Sequence, residues 1–237
     1  MAEDKSNEGI LYIVPTPIGN LKDVTLRALE VLKEVNIIAT EDTRTTGKFL
    51  KLLGLPKKRL VSYYDNVEGE KSAQILNLLQ SGNNIALISE AGTPLISDPG
   101  YKLVVRCIDA GIRIVPLPGA TAFVPALVAS GLPPNVFKFF GFPPKRKGLK
   151  KFLELISQET STSIIYVPTH SLLKFINELF QYVEPRRKIC IAKEITKYNE
   201  EFIRGTIEEI VSFVNSNKLV VKGEFVVIVE GKGGNQC

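Results

Sequence analysis

The fold is decided by Ile85-Ala-Leu-Ile-Ser-Glu-Ala-Gly-Thr-Pro-Leu-Ile-Ser-Asp-Pro-Gly100, which precedes an amphipathic stretch, Tyr101–Ala110. A short, continuously apolar run such as Ile85–Ile88 is typical of a strand in a parallel sheet that is covered on both faces. The segment Ser89–Gly100 consists largely of turn-forming residues, and it is longer than the roughly 2–6 residues that usually connect a strand to a helix. We therefore predict a rigid loop that presents its backbone to a ligand, with a merely long connection as the alternative.

The same alternation continues through the first half of the chain, where strands and amphipathic helices follow one another. Strands are predicted at Ile10–Val14, Asn36–Thr40, Leu60–Tyr64, Ile85–Ile88 and Ile112–Val115, and helices at Leu21–Val35, Thr43–Leu53, Glu68–Gln80 and Tyr101–Ala110. This pattern predicts an N-terminal α/β domain with a mostly parallel sheet flanked by helices.

The segment Pro116-Leu-Pro-Gly-Ala-Thr-Ala122 is typical of a joint between domains. Beyond it, strands are predicted at Val136–Phe140, Ser163–Val167, Lys188–Ala192, Glu201–Gly205 and Glu224–Glu230, and helices at Lys147–Ile156, Ser171–Tyr182 and Ile207–Val214. Because several of these strands follow each other directly, we predict a mixed α+β sheet. The predicted organisation is a flexible tail (residues 1–9), an α/β domain (10–118), an α+β domain (119–232) and a second tail (233–237).

Composition and charge exclude several classes of protein. No stretch approaches the roughly 20 apolar residues of a membrane helix, and the first nine residues have no apolar core typical of a secretory leader. Cys107, Cys190 and Cys237 are too far apart for a zinc cluster or a disulfide framework, which indicates a reducing, cytoplasmic compartment and no metal. The whole net charge of +5 lies in residues 119–237, which favours a polyanionic partner.

The sharpest basic stretch is Phe137-Lys-Phe-Phe-Gly-Phe-Pro-Pro-Lys-Arg-Lys-Gly-Leu-Lys-Lys151, which contains six cations and no acid. Such a stretch suits phosphate neutralisation, although lysines at a helix start often only solvate a surface. We expect Phe137, Phe139 and Phe142 to be core residues, which leaves a weaker case for base stacking than for phosphate binding. The candidate phosphate-binding residues are Lys145, Arg146, Lys147, Lys150, Lys151, Arg186 and Arg187.

Further chemistry is predicted where strands end. Pro15-Thr-Pro-Ile-Gly-Asn20 follows the first strand and Glu41-Asp-Thr-Arg44 the second, where Asp42 could equally cap a helix. Lys193-Glu-Ile-Thr-Lys197 follows a later strand and could handle protons or form a structural salt bridge. The sequence has neither a G-x-G-x-x-G after the first strand nor a P-loop, which disfavours a standard dinucleotide or nucleoside triphosphate site. His170 is the sole histidine, and no nucleophile elbow accompanies it.

Seven of these segments, in order along the chain, resemble one known family. They are Leu11–Leu21, Ala39–Arg44, Ala86–Pro94, Asp98–Gly100, Pro116–Gly119, Glu194–Glu201 and Lys222–Glu230. The resemblance is to the small-subunit rRNA (cytidine-2′-O)-methyltransferase I family of the tetrapyrrole-methylase superfamily, and it covers residues 10–232.

The resemblance implies a two-domain tetrapyrrole-methylase-like fold, a homodimer, and S-adenosylmethionine folded in the cleft between the domains. It implies as substrate a cytidine in the decoding region of the small-subunit RNA, which makes RNA the polyanionic partner. The cofactor contacts that it implies are Pro15, Pro17, Glu90, Gly92, Thr93, Leu95, Ser97, Ala120, Thr121, Tyr166, Val167, Ala192, Lys193 and Gly223. The candidates for proton handling and orientation are Asp42, Arg44, Lys193, Glu194 and Lys197.

Three segments depart from the family pattern. Glu90 stands where relatives often have Asp, and Tyr63-Tyr-Asp-Asn66 replaces a His-rich stretch, so no histidine there can be catalytic. Tyr166-Val-Pro-Thr-His-Ser171 keeps a histidine but lacks the Glu and Arg that relatives have, which weakens any mechanism resting on those groups. Two alternatives stay open. A tetrapyrrole precursor methylase is disfavoured because the first loop lacks Gly-Pro-Gly-Asp, and a non-enzymatic RNA-binding protein would leave the rigid loops without a ligand.

Overall fold

The computed structural model describes residues 8–64, 68–145, 147–216 and 220–234. The chain divides into two compact units, Met1–Thr121 and Ala122–Cys237, and each has its own sheet and core. Within the described ranges, no helix is both long and apolar enough to cross a bilayer.

The first unit is a parallel five-stranded sheet with helices on both faces, as the alternating pattern predicts. Its elements are β1 (Leu11–Ile13), α1 (Leu26–Glu34), β2 (Ile37–Thr40), α2 (Thr43–Leu52), β3 (Arg59–Ser62), α3 (Glu68–Gln80), β4 (Ile85–Leu87), α4 (Tyr101–Asp109) and β5 (Ile114–Pro116). The strand order is β3-β2-β4-β1-β5, and every pairing is parallel.

Alternate strand residues of this sheet face two separate cores. Leu11 and Ile13 of β1 pack in one core with side chains of α3 and α4, whereas Val14 packs in the other with side chains of α1 and α2. The neighbouring strands β1 and β4 are therefore followed by helices on opposite faces of the sheet. Such a reversal opens a crevice at the carboxyl ends of the two strands, which is where open α/β sheets bind ligands.

The single helix predicted at Leu21–Val35 is wrong in its first turn. Residues Leu21–Asp23 form a 3-10 turn, and α1 begins only at Leu26. The reason is local, because the Thr25 side chain accepts a hydrogen bond from the Ala28 N–H at 3.0 Å and caps α1 there.

The second unit contains a mixed five-stranded sheet, which confirms the predicted α+β arrangement. Its elements are α5 (Phe123–Ser130), β6 (Phe137–Gly141), α6 (Leu149–Gln158), β7 (Thr162–Val167), α7 (Leu172–Leu179), β8 (Lys188–Lys193), β9 (Glu201–Thr206), α8 (Ile207–Asn215) and β10 (Phe225–Val229). The strand order is β6-β7-β10-β8-β9, in which β6 and β7 pair in parallel and the other pairs are antiparallel.

The two faces of this second sheet are covered differently. One face packs on α6, α7 and α8 in a large apolar core. The other face carries α5, which contacts β7, β8, β9 and β10. The sequence pattern did not predict α5, because its residues are apolar around the whole circumference and Pro125 interrupts the run. Pro125 is tolerated since it lies in the first turn, where backbone N–H groups have no helical partner.

Candidate functional site

The loops that follow β1 and β4 are joined to each other at the crevice of the first sheet. The backbone N–H of Thr16 donates to the Gly92 carbonyl at 2.8 Å, and the Gly92 N–H donates to the Thr16 carbonyl at 2.9 Å. This reciprocal pair forms an isolated antiparallel bridge between two loops that lie far apart in the sequence. The loop predicted to be rigid is therefore held near its start by backbone hydrogen bonds.

Hydroxyl groups provide a second set of anchors for the same loop. The Thr16 hydroxyl donates to the Ser89 carbonyl at 3.2 Å, and the Ser89 hydroxyl donates to the Gly92 carbonyl at 3.0 Å. The Thr93 hydroxyl donates to the Ala120 carbonyl at 2.8 Å, which ties the loop to the segment after β5. Thr16 and Ser89 are buried, so these bonds are protected from competing water.

Two glycines fix how closely these segments approach. Gly92 has φ of +89°, and a side chain there would meet Ile18 Cγ2 at 3.3 Å. At Gly119 a Cβ atom would lie 2.5 Å from the Cβ of Pro15, so only glycine lets the first loop lie against this backbone. Leu95 and Ser97 also have positive φ values, of 72° and 65°. Left-handed backbone at non-glycine residues costs about 1–3 kcal/mol each and clusters at ligand sites.

The first unit therefore brings together nine of the residues predicted to contact a cofactor. They are Pro15, Pro17, Glu90, Gly92, Thr93, Leu95, Ser97, Ala120 and Thr121. Glu90 and Ser97 are exposed and can meet a ligand with their side chains, whereas Pro15 is buried and acts through its shape. Sequence reasoning did not assign Thr16, Ser89 or Gly119 to the site, although a hydroxyl between two prolines was a usable signal for Thr16.

Asp42 and Arg44 lie at the carboxyl end of β2, in the first unit. Asp42 is the N-cap of α2, and its carboxylate accepts from the backbone N–H of Arg44 at 2.7 Å and of Thr45 at 3.4 Å. These backbone hydrogen bonds lower the pKa of Asp42. The carboxylate is therefore ionised and engaged in capping, which fits orientation better than proton abstraction. Arg44 is exposed at the start of the same helix.

Lys193, Glu194 and Lys197 lie together in the second unit, along a cavity of about 710 Å³. Lys193 ends β8, is almost completely buried, and forms an ion pair with Glu201 at 3.3 Å. Lys197 donates to Glu194 at 2.8 Å and to Glu224 at 2.9 Å. The sequence left a proton-handling pair and a structural salt bridge equally open, and the structure shows ion pairs at both lysines.

These ion pairs determine the charge states of two groups. The hydrogen bond from Lys197 lowers the pKa of Glu194, although burial opposes this effect. Burial alone would lower the pKa of Lys197, but the hydrogen bonds and negative charges of Glu194 and Glu224 outweigh it and raise that pKa. Lys197 therefore stays protonated at neutral pH, which favours an electrostatic role for Lys197 over that of a base.

The other cofactor candidates of the second unit lie near this cavity or on the neighbouring strand β7. Gly223 lines the cavity with φ of +99°, and a Cβ there would overlap the Glu194 carboxylate, at 2.3 Å from its Cδ. Val167 and Ala192 are buried, so only their backbones could meet a ligand. Tyr166, one residue before the end of β7, is half-buried among aromatic rings.

The predicted basic segment lies largely at the surface. Lys145, Lys147, Lys150 and Lys151 are all exposed, as expected, and α6 begins at Leu149 rather than at Lys147. Arg146 lies outside the described residues, as do Asp65 and Asn66 of the stretch that replaces the family's histidines. Arg186 is exposed before β8.

Arg187 differs completely from its neighbour Arg186. It is 5% exposed, and its guanidinium donates to the backbone carbonyls of Ser157 at 2.7 Å and Glu230 at 2.6 Å. Two further bonds reach the carbonyls of Ile156 at 3.2 Å and Glu159 at 2.9 Å. The guanidinium of Arg187 already donates to carbonyls at the end of α6 and just after β10. The predicted contact between Arg187 and phosphate is therefore not supported.

The expectation that Phe137, Phe139 and Phe142 belong to a core is also corrected. Phe137 and Phe142 are 42% and 54% exposed, and Phe139 is half-buried. Of the strand's aromatic residues, Phe140 packs against the core on the helix-covered face. The error arises because an edge strand buries one face here and leaves much of the other to solvent.

Within the part of the chain that the structure describes, no group of three or more His, Cys, Asp or Glu side chains could hold a metal ion. His170 is exposed in a short 3-10 turn after β7.

Comparison with known proteins identifies the family. Residues 10–211 match the model for Tetrapyrrole (Corrin/Porphyrin) Methylases. The chain is 47% identical to Ribosomal RNA small subunit methyltransferase I of Escherichia coli O157:H7, over 95% of this chain and 79% of that relative. Its identity to the protein of the same name from Haemophilus influenzae is 48%, over 94% of this chain and 79% of that relative. The chain belongs to the ribosomal RNA small subunit methyltransferase I family.

The two-unit fold of this methyltransferase I family member recurs in solved structures. Uroporphyrin-III-C-methyltransferase from Thermus thermophilus matches with a TM-score of 0.66 and 21% identity, over 94% of each chain. A crystal structure of uroporphyrin-III C-methyl transferase from the same organism, complexed with S-adenyl homocysteine, matches with a TM-score of 0.63 and 20% identity, over 94% of this chain and 97% of that chain. At this level of identity the likeness establishes the tetrapyrrole methylase fold.

Proposed function

We propose that this chain transfers a methyl group from S-adenosylmethionine to the 2′-hydroxyl of a cytidine in small-subunit ribosomal RNA, in its decoding region. The observation that carries the proposal is the identity of 41–48% to proteins named Ribosomal RNA small subunit methyltransferase I, over more than nine-tenths of this chain.

The loops of the first unit suit part of such a cofactor. S-adenosylmethionine carries an amino group, a carboxylate and ribose hydroxyls, which need both donors and acceptors. The loop Glu90–Ser97 offers an exposed carboxylate, hydroxyl groups and backbone polar groups in a conformation that is fixed before any ligand arrives. A preorganised loop loses little conformational entropy on binding, which favours affinity. We assign Glu90, Gly92, Thr93, Leu95 and Ser97 to this role.

The chemistry needs positioning more than acid catalysis. When bound, S-adenosylmethionine supplies an electrophilic methyl group on a sulfonium centre whose thioether departs as a neutral molecule. The protein must align the ribose hydroxyl with that methyl group and accept the hydroxyl proton. Alignment of two reactants can contribute about 7–11 kcal/mol to lowering the barrier, and a base about 10²- to 10⁴-fold in rate.

We assign proton handling to the Lys193–Glu201 pair. Lys193 and Glu201 both line the cavity, and the Glu201 side chain is 48% exposed. Lys193 would first give a proton to the Glu201 carboxylate, which releases it to solvent, and the neutral amine so formed would accept the proton of the ribose hydroxyl. Lys197 is held protonated by its two glutamates and would stabilise negative charge that develops on the ribose oxygen. Asp42 and Arg44 are assigned to orientation of RNA or cofactor.

RNA would be held by the exposed cations Lys145, Lys147, Lys150, Lys151 and Arg186. Of these, Lys150 lies 3.9 Å from Glu154, an exposed pair that contributes little to stability and leaves the lysine available to phosphate. The proposal includes a homodimer, as the resemblance implies, and a cytoplasmic location, which follows from a ribosomal substrate.

The experiment is methyl incorporation from labelled S-adenosylmethionine into small ribosomal subunits from cells that lack the modification. We expect one labelled methyl per subunit, recovered as 2′-O-methylcytidine after digestion to nucleosides. A base-methylated nucleoside would contradict the position of transfer. Methylation of a tetrapyrrole precursor with unlabelled RNA would contradict the substrate. Sedimentation of the same protein without ribosomal subunits tests whether it forms a homodimer.

A further inference from the structure

Five aromatic rings of the second unit form a continuous row. Phe137 lies 6.2 Å from Phe123, and Phe123 is stacked on Phe139 at 5.0 Å between ring centroids. Phe139 meets Tyr166 at 4.9 Å, and Tyr166 meets Phe142 at 5.5 Å, both edge to face. The aromatic row (Phe137, Phe123, Phe139, Tyr166 and Phe142) thus joins α5, β6 and β7.

The row lies on the face of the second sheet that carries α5. On β7, Ile165 and Val167 face the helix-covered core, so Tyr166 between them points to the opposite face. On β6, Phe140 faces the same core, and Phe139 therefore shares the face of Tyr166. After Phe139 the register of the β6–β7 pair shifts, and Gly141 has φ of +65°. This bulge ends the alternation and directs Phe142 back to the row.

The two ends of the row are exposed to solvent. Phe137 and Phe142 keep 42% and 54% of their surface accessible, whereas Phe123, Phe139 and Tyr166 are half-buried. Exposing one large ring is ordinary, but a row of contacting rings with both ends open is an apolar patch of the kind that marks a binding surface. A flat aromatic surface suits planar partners, because stacking needs one free ring face rather than a deep pocket.

The charge around the row indicates which planar partner it fits. Lys145 and Lys147 follow Phe142 closely and are exposed, and no acidic residue occurs between Phe137 and Leu153. Phosphates therefore find cations beside the rings and no fixed negative charge in the same segment. Aromatic side chains next to a cationic track are the usual means of holding single-stranded nucleic acid. An apolar protein partner would gain nothing from these lysines.

We infer that the aromatic row is a stacking surface for unpaired bases of the RNA substrate, with Phe137 and Phe142 as its contact residues. This inference rests on the proposed function, since it takes ribosomal RNA as the partner. It divides RNA binding between two neighbouring sets of side chains. Lys145 and Lys147 neutralise phosphates, and the two exposed rings bind bases without regard to ionic strength. Tyr166 contacts both Phe139 and Phe142 in the row, and it is left unchanged in the test because it is also a cofactor candidate.

The test compares Phe137→Leu, Phe142→Leu and the double variant with the parent chain of 237 residues. Leucine keeps the apolar character and loses the ring, and Phe142→Tyr is the conservative rescue. Leu155→Ala, at another exposed apolar residue of the second unit, is the matched control. Equilibrium binding to a single-stranded fragment of small-subunit RNA is measured over a range of salt concentrations, together with S-adenosylhomocysteine affinity and sedimentation.

We expect each leucine variant to bind RNA about 5- to 160-fold more weakly, which is the change in affinity that corresponds to the loss of one base stacked on an aromatic ring. The slope of log Kd against log salt should stay at the parent value, since the cations that neutralise phosphate are unchanged. Cofactor affinity should not change, and Phe142→Tyr should bind as the parent does. The KM for RNA should rise while kcat is retained.

Three outcomes would overturn the inference. Unchanged RNA affinity in the double variant removes the row from the RNA path, and it leaves the proposed function intact if the parent protein methylates RNA. A dimer that dissociates in the double variant shows that the row binds a second copy of the chain. A flattened salt slope shows that the rings act only by positioning the lysines. Failure of the proposed function is read separately, as a parent protein that binds RNA but transfers no methyl group to it.

Discussion

The joined loops of the first unit and the charged cavity of the second are built from different materials. At the first site, backbone groups and small hydroxyls make the contacts. Left-handed backbone at non-glycine residues is common to both sites, at Leu95 and Ser97 in the first and at Glu194 and Thr196 in the second. At the second site, long charged side chains make the contacts, in the Lys193–Glu201 and Lys197–Glu194–Glu224 pairs.

This difference determines which kind of substitution each site can tolerate. A site whose contacts come from the backbone tolerates many side-chain substitutions. It loses ligand binding when a substitution makes the required backbone conformation inaccessible. A site made of ion pairs keeps its shape after a single substitution and loses charge, proton transfer or both. Substitutions at the first site should therefore act by changing the backbone conformation, and substitutions at the second site by removing a charge or a proton-transfer group.

The largest expected effect is at Gly92. Gly92→Val places a β-branched side chain at φ +89° and against Ile18, so the bridge to Thr16 cannot form and binding of S-adenosylhomocysteine should be abolished in calorimetry. Gly54→Val is the matched control, because Gly54 has φ of +66° and a Cβ there has no neighbour within 4 Å. The control should lower the melting temperature and keep cofactor affinity. Equal cofactor affinity in the two variants would show that the loop is no part of the site.

The second effect is on turnover rather than on binding. Lys193→Met removes the buried amine and leaves Glu201 solvated, so kcat should fall by about 10²- to 10⁴-fold while cofactor affinity changes little. Lys222→Met alters an exposed lysine of the same cavity and serves as the control. Near-parental turnover of Lys193→Met would assign the Lys193–Glu201 pair to structure alone.

A third prediction separates two adjacent arginines within the second unit. Arg187→Gln leaves buried carbonyls without donors and should lower the free energy of unfolding by about 3 kcal/mol, as measured by urea titration. Arg186→Gln changes an exposed residue and should shift it by less than about 0.5 kcal/mol. RNA affinity should fall more in Arg186→Gln than in Arg187→Gln. A loss of stability in Arg186→Gln as large as that in Arg187→Gln would contradict the assignment of Arg187 to the fold and of Arg186 to the surface.

The smallest effect concerns the basic segment. Lys145→Gln combined with Lys147→Gln should weaken RNA binding several-fold at physiological salt and reduce the log–log salt slope by roughly 0.7–0.9 for each phosphate that is no longer neutralised. Adding Arg146→Gln extends the same series. Melting temperature and cofactor affinity should stay at the parent values. An unaltered slope would mean that these lysines only solvate the start of α6.

Much of the fold could be predicted from sequence because local patterns determine it. The helix at Glu68–Gln80 follows from its apolar periodicity, and the buried strand before Ser89 follows from its continuous apolar run. The insertion of β10 between β7 and β8 could not be predicted, since strand order depends on long-range packing that no local pattern encodes. The helix α5 was not predicted, because a segment that is apolar around its whole circumference shows no hydrophobic periodicity.

The site was less predictable, for reasons that differ from residue to residue. The loop after β4 could be identified because turn chemistry is visible in residue type, but the left-handed conformations of Leu95 and Ser97 are not. Arg186 and Arg187 are identical in sequence terms, and only the structure separates a surface cation from a buried clamp. The exposure of Phe142 depends on a bulge at Gly141, which alternation does not predict.

The bridge between Thr16 and Gly92 also bears on how the protein comes into being. The two loops are separated by more than 70 residues, as the 73-residue spacing of the Thr16–Ser89 bond shows, so neither can take its final shape until β1 and β4 have met. Closing so long a segment is slow compared with helix formation. During synthesis the cofactor loop can therefore form only after β4 and Gly92 have left the ribosome. In a refolding time course, the helical signal would return first. Cofactor binding would return later, when β1 and β4 have paired in the first sheet.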